Sequence, residues 1–370
     1  MPRKSHALRR AILLLIPAAL LAAFLLLRNT GAAMDFASKR VSAPARAGLG
    51  ALTGLIPSVS VAELLLYALL LWLLVHLTVT VVTVIRHSGT RLRILGRRAL
   101  TLLTVAAWLA GMFVWLWGCN YYARPFNYGS GIYDEPPTAE QLTVAARYFL
   151  DGANRTAGNV HRDADGHFDV PVSALLVGTD GLFDGIDPDF PRLPSSNVKA
   201  KPIIISRTYS RMGYTGIYLA LTGEANVNVD MPRALLPVTI AHELAHSRGV
   251  APEQQADFLA IAACVTGENA AYEYSGYLMG LIRLSNALNV SNPEAYMSLA
   301  ADYGDLVRRD LTDNYEYWEQ FKDDPPIVRA AAETVTAVYD DYLKSNGQEL
   351  GVRSYGACVD LLSAWVDTRV

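Results

Sequence analysis

A chain of 370 residues that is 52% hydrophobic and 18% charged, with a mean hydropathy of +0.20, is too apolar for a disordered protein and less charged than ordinary soluble domains. Its formal net charge of −3 conceals a division: residues 1–119 hold 13 Lys and Arg against 2 acidic residues, and residues 120–370 hold 19 against 33. The acidic back half argues against nucleic acid as a partner, because phosphate contacts need clustered basic side chains.

Three apolar runs occupy residues 11–27, 61–85 and 99–119. Each approaches the ~20 residues needed to cross ~30 Å of hydrocarbon. The first, with Pro17 inside it and Arg3, Lys4, Arg9 and Arg10 before it, reads as a retained membrane helix rather than a signal peptide, since no A-x-A cleavage site follows. The basic N-terminal tail and the 86–98 loop, which carries Arg86, Arg91, Arg93, Arg97 and Arg98, predict a cytoplasmic N-terminus and three spans, with everything after Cys119 outside the cytoplasm. Glu63 and His76 fall at the edge of and within the second span, and are read as an interfacial carboxylate and a histidine without an obvious partner. Trp115, Trp117, Tyr121 and Tyr122 form an aromatic belt where the third span ends. Residues 120–136 read as a turn-rich linker, and residues 137–370 as one outer domain large enough for its own core.

Within that domain a helix is expected over 138–151 behind Thr138. An irregular stretch rich in Gly, Pro and Asp then runs over 155–200. His161, Asp163, Asp165 and His167 suggest a calcium loop there, but Ala174 stands where a bidentate Glu is required, so a solvated turn is the reading. Strands are expected over 201–206, 216–223 and 225–230. Helices follow over 237–248, 252–265, 269–289, 293–322, 326–345 and 354–367, with Gly249, Gly267 and Gly347 at helix ends and prolines near helix starts. The fold class is α+β, mostly helical, with a small sheet of two to four strands.

One motif carries chemistry: His242-Glu243-Leu244-Ala245-His246. Histidines four apart share a helix face and reach one cation, while Glu243 flanks them and Leu236, Ile240 and Leu244 anchor another face. Two imidazoles and a carboxylate suit zinc and leave a fourth position for water, which a neighbouring Glu can deprotonate. Seven residues after His246 the next helix opens with Glu253 and Asp257, again four apart. Glu253 is the expected third ligand, and Asp257 the acceptor for the outer ring N–H of a ligand histidine. Asp257 as the ligand itself, or an acidic first turn favoured by the helix dipole, remain alternatives. Cys264 and Cys358 sit in apolar helical patterns and read as buried thiols at least as readily as a disulfide.

HExxH followed by E-x-x-A-D on the next helix resembles the gluzincin zinc metallopeptidases, with a shorter step between the helices than is usual there. More closely, residues 120–126, 215–228, 239–260 and 354–362 resemble an uncharacterised bacterial family of three-span membrane proteins with an outward HExxH domain, a domain-of-unknown-function family. The resemblance implies a zincin-like domain holding one zinc on His242, His246 and Glu253, with Glu243 as general base and then acid. It also implies an edge strand (Gly216, Ile217, Tyr218, Leu219) pairing with an extended peptide or protein substrate. Tyr355, Tyr218 or Arg248 would donate to the developing oxyanion. The expected function is a membrane-anchored zinc metallopeptidase; the rivals are a non-catalytic metal-bearing receptor or scaffold and a zinc amidase acting on cell-wall material.

Overall fold

The computed structural model describes residues 2–133, 135–351 and 358–370. Helix α1 (Pro2–Leu27) precedes a short α2 (Gly31–Phe36), a π-helical turn (Ala37–Ser42) and α3 (Ala43–Thr53). Then come α4 (Val61–Arg86) and α5 (Arg91–Leu116). Two helical stretches, Val61–Arg86 and Ser88–Leu116, are long and apolar enough to cross a membrane. Leucines project to the outside all around α4, where an aqueous chain would place polar side chains. The apolar part of α1 among the described residues, Ile12–Leu27, is shorter. It packs along α5, with Gly111 against Pro17. Pro17 has no N–H to offer the Leu13 carbonyl four residues back, and Trp108 Nε1 donates to that carbonyl at 2.9 Å instead.

The part of the chain after α5 contains α6 (Ala139–Thr156), α7 (Val172–Val177), β1 (Ala200–Pro202), α8 (Ser206–Arg211), β2 (Gly216–Leu219) and β3 (Glu224–Val227). It continues with α9 (Leu236–Ser247), α10 (Glu253–Thr266), α11 (Ala270–Ser291), α12 (Pro293–Ala301), α13 (Asp305–Glu319), α14 (Pro326–Ser345) and α15 (Val359–Asp367). The class is mostly helical with a three-stranded sheet in the order β1-β3-β2, with β3 parallel to β1 and antiparallel to β2. β2 is therefore an edge. The core gathers where α6, α9, α10, α11 and α15 pack around Phe149, Leu150, Phe258, Leu278, Leu281 and Trp365.

Two expectations are revised. The single helix over 293–322 is broken between α12 and α13: the Gly304 N–H donates to Asn154 Oδ1 at 2.9 Å, and Asn154 Nδ2 donates to the Asp302 carbonyl at 3.0 Å. A side chain on α6 thus takes up the backbone groups that the break exposes. The segment between the first two apolar runs, residues 28–60, for which no element is expected from the sequence, is largely helical and docks against the part of the chain after α5. Its Arg46, only 2% exposed, donates to the carbonyls of His246 (3.3 Å) and Ser247 (3.0 Å). Glu63, in the first turn of α4, accepts from the backbone N–H groups of Ile204 (2.6 Å) and Ile205 (3.3 Å). Glu224 on β3 reciprocates by accepting from the N–H groups of Val61 (3.1 Å) and Ala62 (2.7 Å) at the start of α4. These carboxylates and the guanidinium join the apolar helices to the sheet.

Candidate metal centre

α9 starts with Pro237 in its first turn, where a missing N–H costs nothing, and buries Leu236, Ile240 and Leu244. It ends in a left-handed glycine, Gly249 at φ +92°. The Gly249 N–H bonds to the His246 carbonyl and the Val250 N–H to the Ala245 carbonyl, the paired closure of a Schellman turn. That turn delivers the Val250 carbonyl onto His246 Nδ1 at 2.6 Å and lets α10 begin beside α9 within a few residues. Glu253, the first residue of α10, then faces both histidines.

Glu253 Oε2 lies 3.2 Å from His242 Nε2 and 3.3 Å from His246 Nε2. Among the described residues, these three side chains form the group whose ligand atoms lie close enough together, all within 4.8 Å, to hold a metal ion. Asp257 Oδ1 meets His242 Nδ1 at 2.8 Å. The Nδ1 atoms of both histidines therefore face groups that only accept, which assigns the ring protons to Nδ1 and leaves both Nε2 lone pairs aimed at a carboxylate oxygen. Three lone-pair donors converging in a buried space need a cation among them. Protons can serve: burial disfavours charge on His242, yet Asp257 and Glu253 outweigh it and hold the imidazole well above its ordinary pKa. Burial likewise opposes charge on Glu253, but His246 and His242 keep its carboxyl well below the usual range. A zinc ion fits the same space, since ligands ~2.0 Å from a tetrahedral centre stand roughly 3.3 Å apart.

Glu243 lies beside this group and is 4% exposed. Its Oε2 has no hydrogen-bond partner. Burial, opposed by His242 and His246 and reinforced by Glu253 and Asp257, pushes its carboxyl up to about 7. Gly216 on β2 packs directly on this carboxylate, so that any Cβ there would collide with it. The predicted edge strand therefore does run alongside the predicted base. A cleft of about 400 Å³ opens over His242 and Glu243, walled by Tyr214, Gly216, Met279, Trp318 and Tyr339 among others.

Tyr218, one of the expected oxyanion donors, is turned away from this cleft. Its hydroxyl accepts from Arg46 Nη1 at 3.5 Å and its ring packs on Trp117. Arg248 pairs with Asp187 at 2.5 Å and lies over Phe183, likewise remote from the cleft. Tyr355 lies outside the described residues. The His161–His167 stretch folds as a turn on Asp163, whose Oδ1 accepts from Asp165 and His167 N–H groups. Cys264 and Cys358 are buried free thiols.

Three residues to which the sequence reading gave no role at this site, one of them Trp117 of the aromatic belt, support the centre. Tyr339 of α14 donates its hydroxyl to Glu253 Oε1. Arg283 of α11 pairs with Asp257 Oδ2 at 2.8 Å. Trp117, just past the last apolar helix, sets its ring edge-to-face on His246 with centroids 5.5 Å apart. Arg283 left a trace in the sequence as the one basic residue of a largely apolar helix whose other charge, Glu273, lies in its first turn.

A family model described as a protein of unknown function (DUF3810) matches residues 38–363, a stretch that takes in both the apolar helices from α4 onward and the whole HExxH region. No curated protein and no solved structure matches the chain.

Proposed function

We propose an activity for this chain, which belongs to the DUF3810 family: zinc-dependent hydrolysis of peptide bonds on the outer face of a cell membrane. The observation that carries the reading is the convergence of His242 Nε2 and His246 Nε2 on Glu253 Oε2, with both outer ring nitrogens braced and an unpartnered carboxylate alongside. A structural zinc is commonly closed by four protein ligands and has no use for a neighbouring base. Three ligands and Glu243 suit hydrolysis.

His242, His246 and Glu253 would hold the zinc, which when bound would supply a Lewis acid for the scissile carbonyl and for water. Glu243, buried beside the group with a free carboxylate oxygen, takes the proton of the attacking water and returns it to the departing amine nitrogen. Asp257, itself held by Arg283, keeps His242 in the tautomer that presents Nε2. Tyr339 fixes Glu253 from the cleft side. The open edge of β2 offers main-chain hydrogen bonds to an extended peptide without demanding particular side chains.

The topology proposed with this activity has three spans, α1, α4 and α5, a cytoplasmic N-terminus and an outward HExxH domain. Arg86 at the end of α4 and Arg91, Arg93, Arg97 and Arg98 in the first turns of α5 favour that orientation. The close packing of α1 on α5, with Trp108 on the Leu13 carbonyl, suits a first segment that stays with the protein.

Glu243→Gln tests the mechanism. The variant should bind one zinc per chain by elemental analysis while hydrolysis of peptides disappears; hydrolysis that persists overturns the role given to Glu243. Comparing peptide termini in membranes carrying wild type or this variant separates a peptidase, which generates new termini, from an amidase of cell-wall material, which does not.

A further inference from the structure

Both walls of the cleft are rooted on the apolar helices. One wall is the segment from Ile203 to Gly216, which contains α8. Its start is fixed by Glu63 in the first turn of α4, through the Ile204 and Ile205 N–H groups, and its end lines the cleft at Met212, Tyr214 and Gly216. Tyr209, midway along it, has its hydroxyl raised by burial and by the surrounding Glu63, Tyr67 and Glu243. One ring thus lies within electrostatic reach of both the proposed base and the start of a membrane helix. The opposite wall is α14, which contributes Thr336 and Tyr339 to the cleft. One turn further on, Tyr342 packs its ring on Phe113 of α5 (5.8 Å) and Tyr121 (5.9 Å).

Around the first of these roots the surface is apolar. Leu52, Leu55 and Ile56 precede α4, and Ile204 and Ile205 hang from Glu63; they are 64, 77, 48, 59 and 37% exposed. Ile217, on the edge strand itself, is 43% exposed. A cluster of large aliphatic side chains is costly to leave in water. Here it leads into the first turn of a helix whose own exposed side chains are mostly leucine, valine and isoleucine.

Resting on the reading of α4 and α5 as spans and of the centre as a peptidase, we infer that the mouth of this cleft is seated in the lipid interface and that its substrate is a polypeptide anchored in the same bilayer. The stretch leaving the membrane would lie along β2 past Glu243. An anchored chain is delivered to β2 at the effective concentration of a two-dimensional surface, which makes up for a site offering mainly backbone contacts.

The test uses the full chain in phosphatidylcholine vesicles. The native cysteines are buried, so Ile204→Cys, and Val290→Cys at a position 86% exposed at the far end of α11, can each be labelled selectively with an environment-sensitive fluorophore. Spin-labelled lipid should quench the probe at position 204 and leave that at 290 unaffected. Quenching at 204 by aqueous iodide instead, or shielding from both quenchers as a second copy would give, overturns the lipid seat. In the same vesicles, one peptide sequence is offered free or fused to a single apolar spanning helix. Cleavage of the anchored form should be faster by at least about tenfold, and Leu55→Asp, in the same apolar surface but outside the cleft wall, should erase most of that preference while sparing cleavage of the free peptide. Equal rates overturn the anchored substrate. Failure to cleave either form overturns the peptidase reading, and the quenching result still decides the lipid seat.

Discussion

At the scale of single residues, the centre depends on side chains that never touch a substrate. Tyr339 approaches Glu253 from α14, 86 positions away in the chain, and donates to the oxygen opposite the one the histidines share. Removing this hydroxyl leaves the carboxylate free to rotate off the two imidazoles. Tyr339→Phe is therefore expected to weaken zinc binding by roughly 10- to 100-fold, as losses of supporting hydrogen bonds around ligands do, with the fold unchanged by circular dichroism. Competition against a chromophoric chelator measures this directly, and wild-type affinity in the variant would remove Tyr339 from the centre. The group proposed as ligands was legible in the sequence, with Asp257 behind it, because helical geometry is local: His242 and His246, and Glu253 and Asp257, are pairs four apart on two helices joined by a connection too short to separate them. Tyr339, Trp117 and Arg46 were not, because a residue's distant partner depends on how whole helices pack. Tyr218 was misjudged for a related reason. Alternation along β2 puts Gly216 on Glu243 and Tyr218 on the same face two residues on, but Arg46 and Trp117, invisible to strand periodicity, draw the tyrosine hydroxyl away from the cleft.

At the scale of elements, α3 is the piece least expected and most consequential. Its Arg46 reaches the last carbonyls of α9, where the helix dipole favours a cation, and stacks between Trp117 and Tyr218 at 6.0 and 5.9 Å. One of those carbonyls belongs to His246 itself. Arg46→Met keeps the volume but takes the donor from the Ser247 carbonyl and one of two donors from the His246 carbonyl, a loss of about 1–3 kcal/mol. Thermal unfolding in micelles should show a lower midpoint, together with weaker zinc binding. Arg46→Lys should restore only part of either, since a lysine lacks the planar fork that spans two carbonyls. An unchanged midpoint and affinity would make α3 a passive cover. The sheet shows the same limit of local reading. Three strands were legible from β-branched and aromatic content, but each is shorter than expected, because the chain leaves β1 after Pro202 to present the Ile204 and Ile205 N–H groups to Glu63.

At the scale of the whole molecule, the division of charge between a basic front and an acidic back suggested a membrane anchor with a separate domain hung beneath it. The contacts describe a more interlocked object. Glu224 sits on the central strand, 1% exposed, and its carboxylate is shared between Lys201 and the first N–H groups of α4. Lys201 Nζ in turn donates to the Thr53 carbonyl at 2.7 Å. A buried ion pair is tolerable only while its remaining hydrogen bonds are filled, and here they are filled from residues 53–62. Cutting the chain before residue 137 removes those partners together with Glu63, Arg46 and Trp117. It leaves a charged pair, two helix-end carbonyls and one face of His246 exposed at once. The fragment 137–370 is therefore expected to fold poorly and bind zinc weakly, with broad amide resonances and no cooperative unfolding transition. The chain from residue 38 onward, in micelles, should retain both cooperativity and zinc. A fragment 137–370 that melts sharply and holds one zinc would mean that the α3 and α4 contacts decorate a domain that is complete without them.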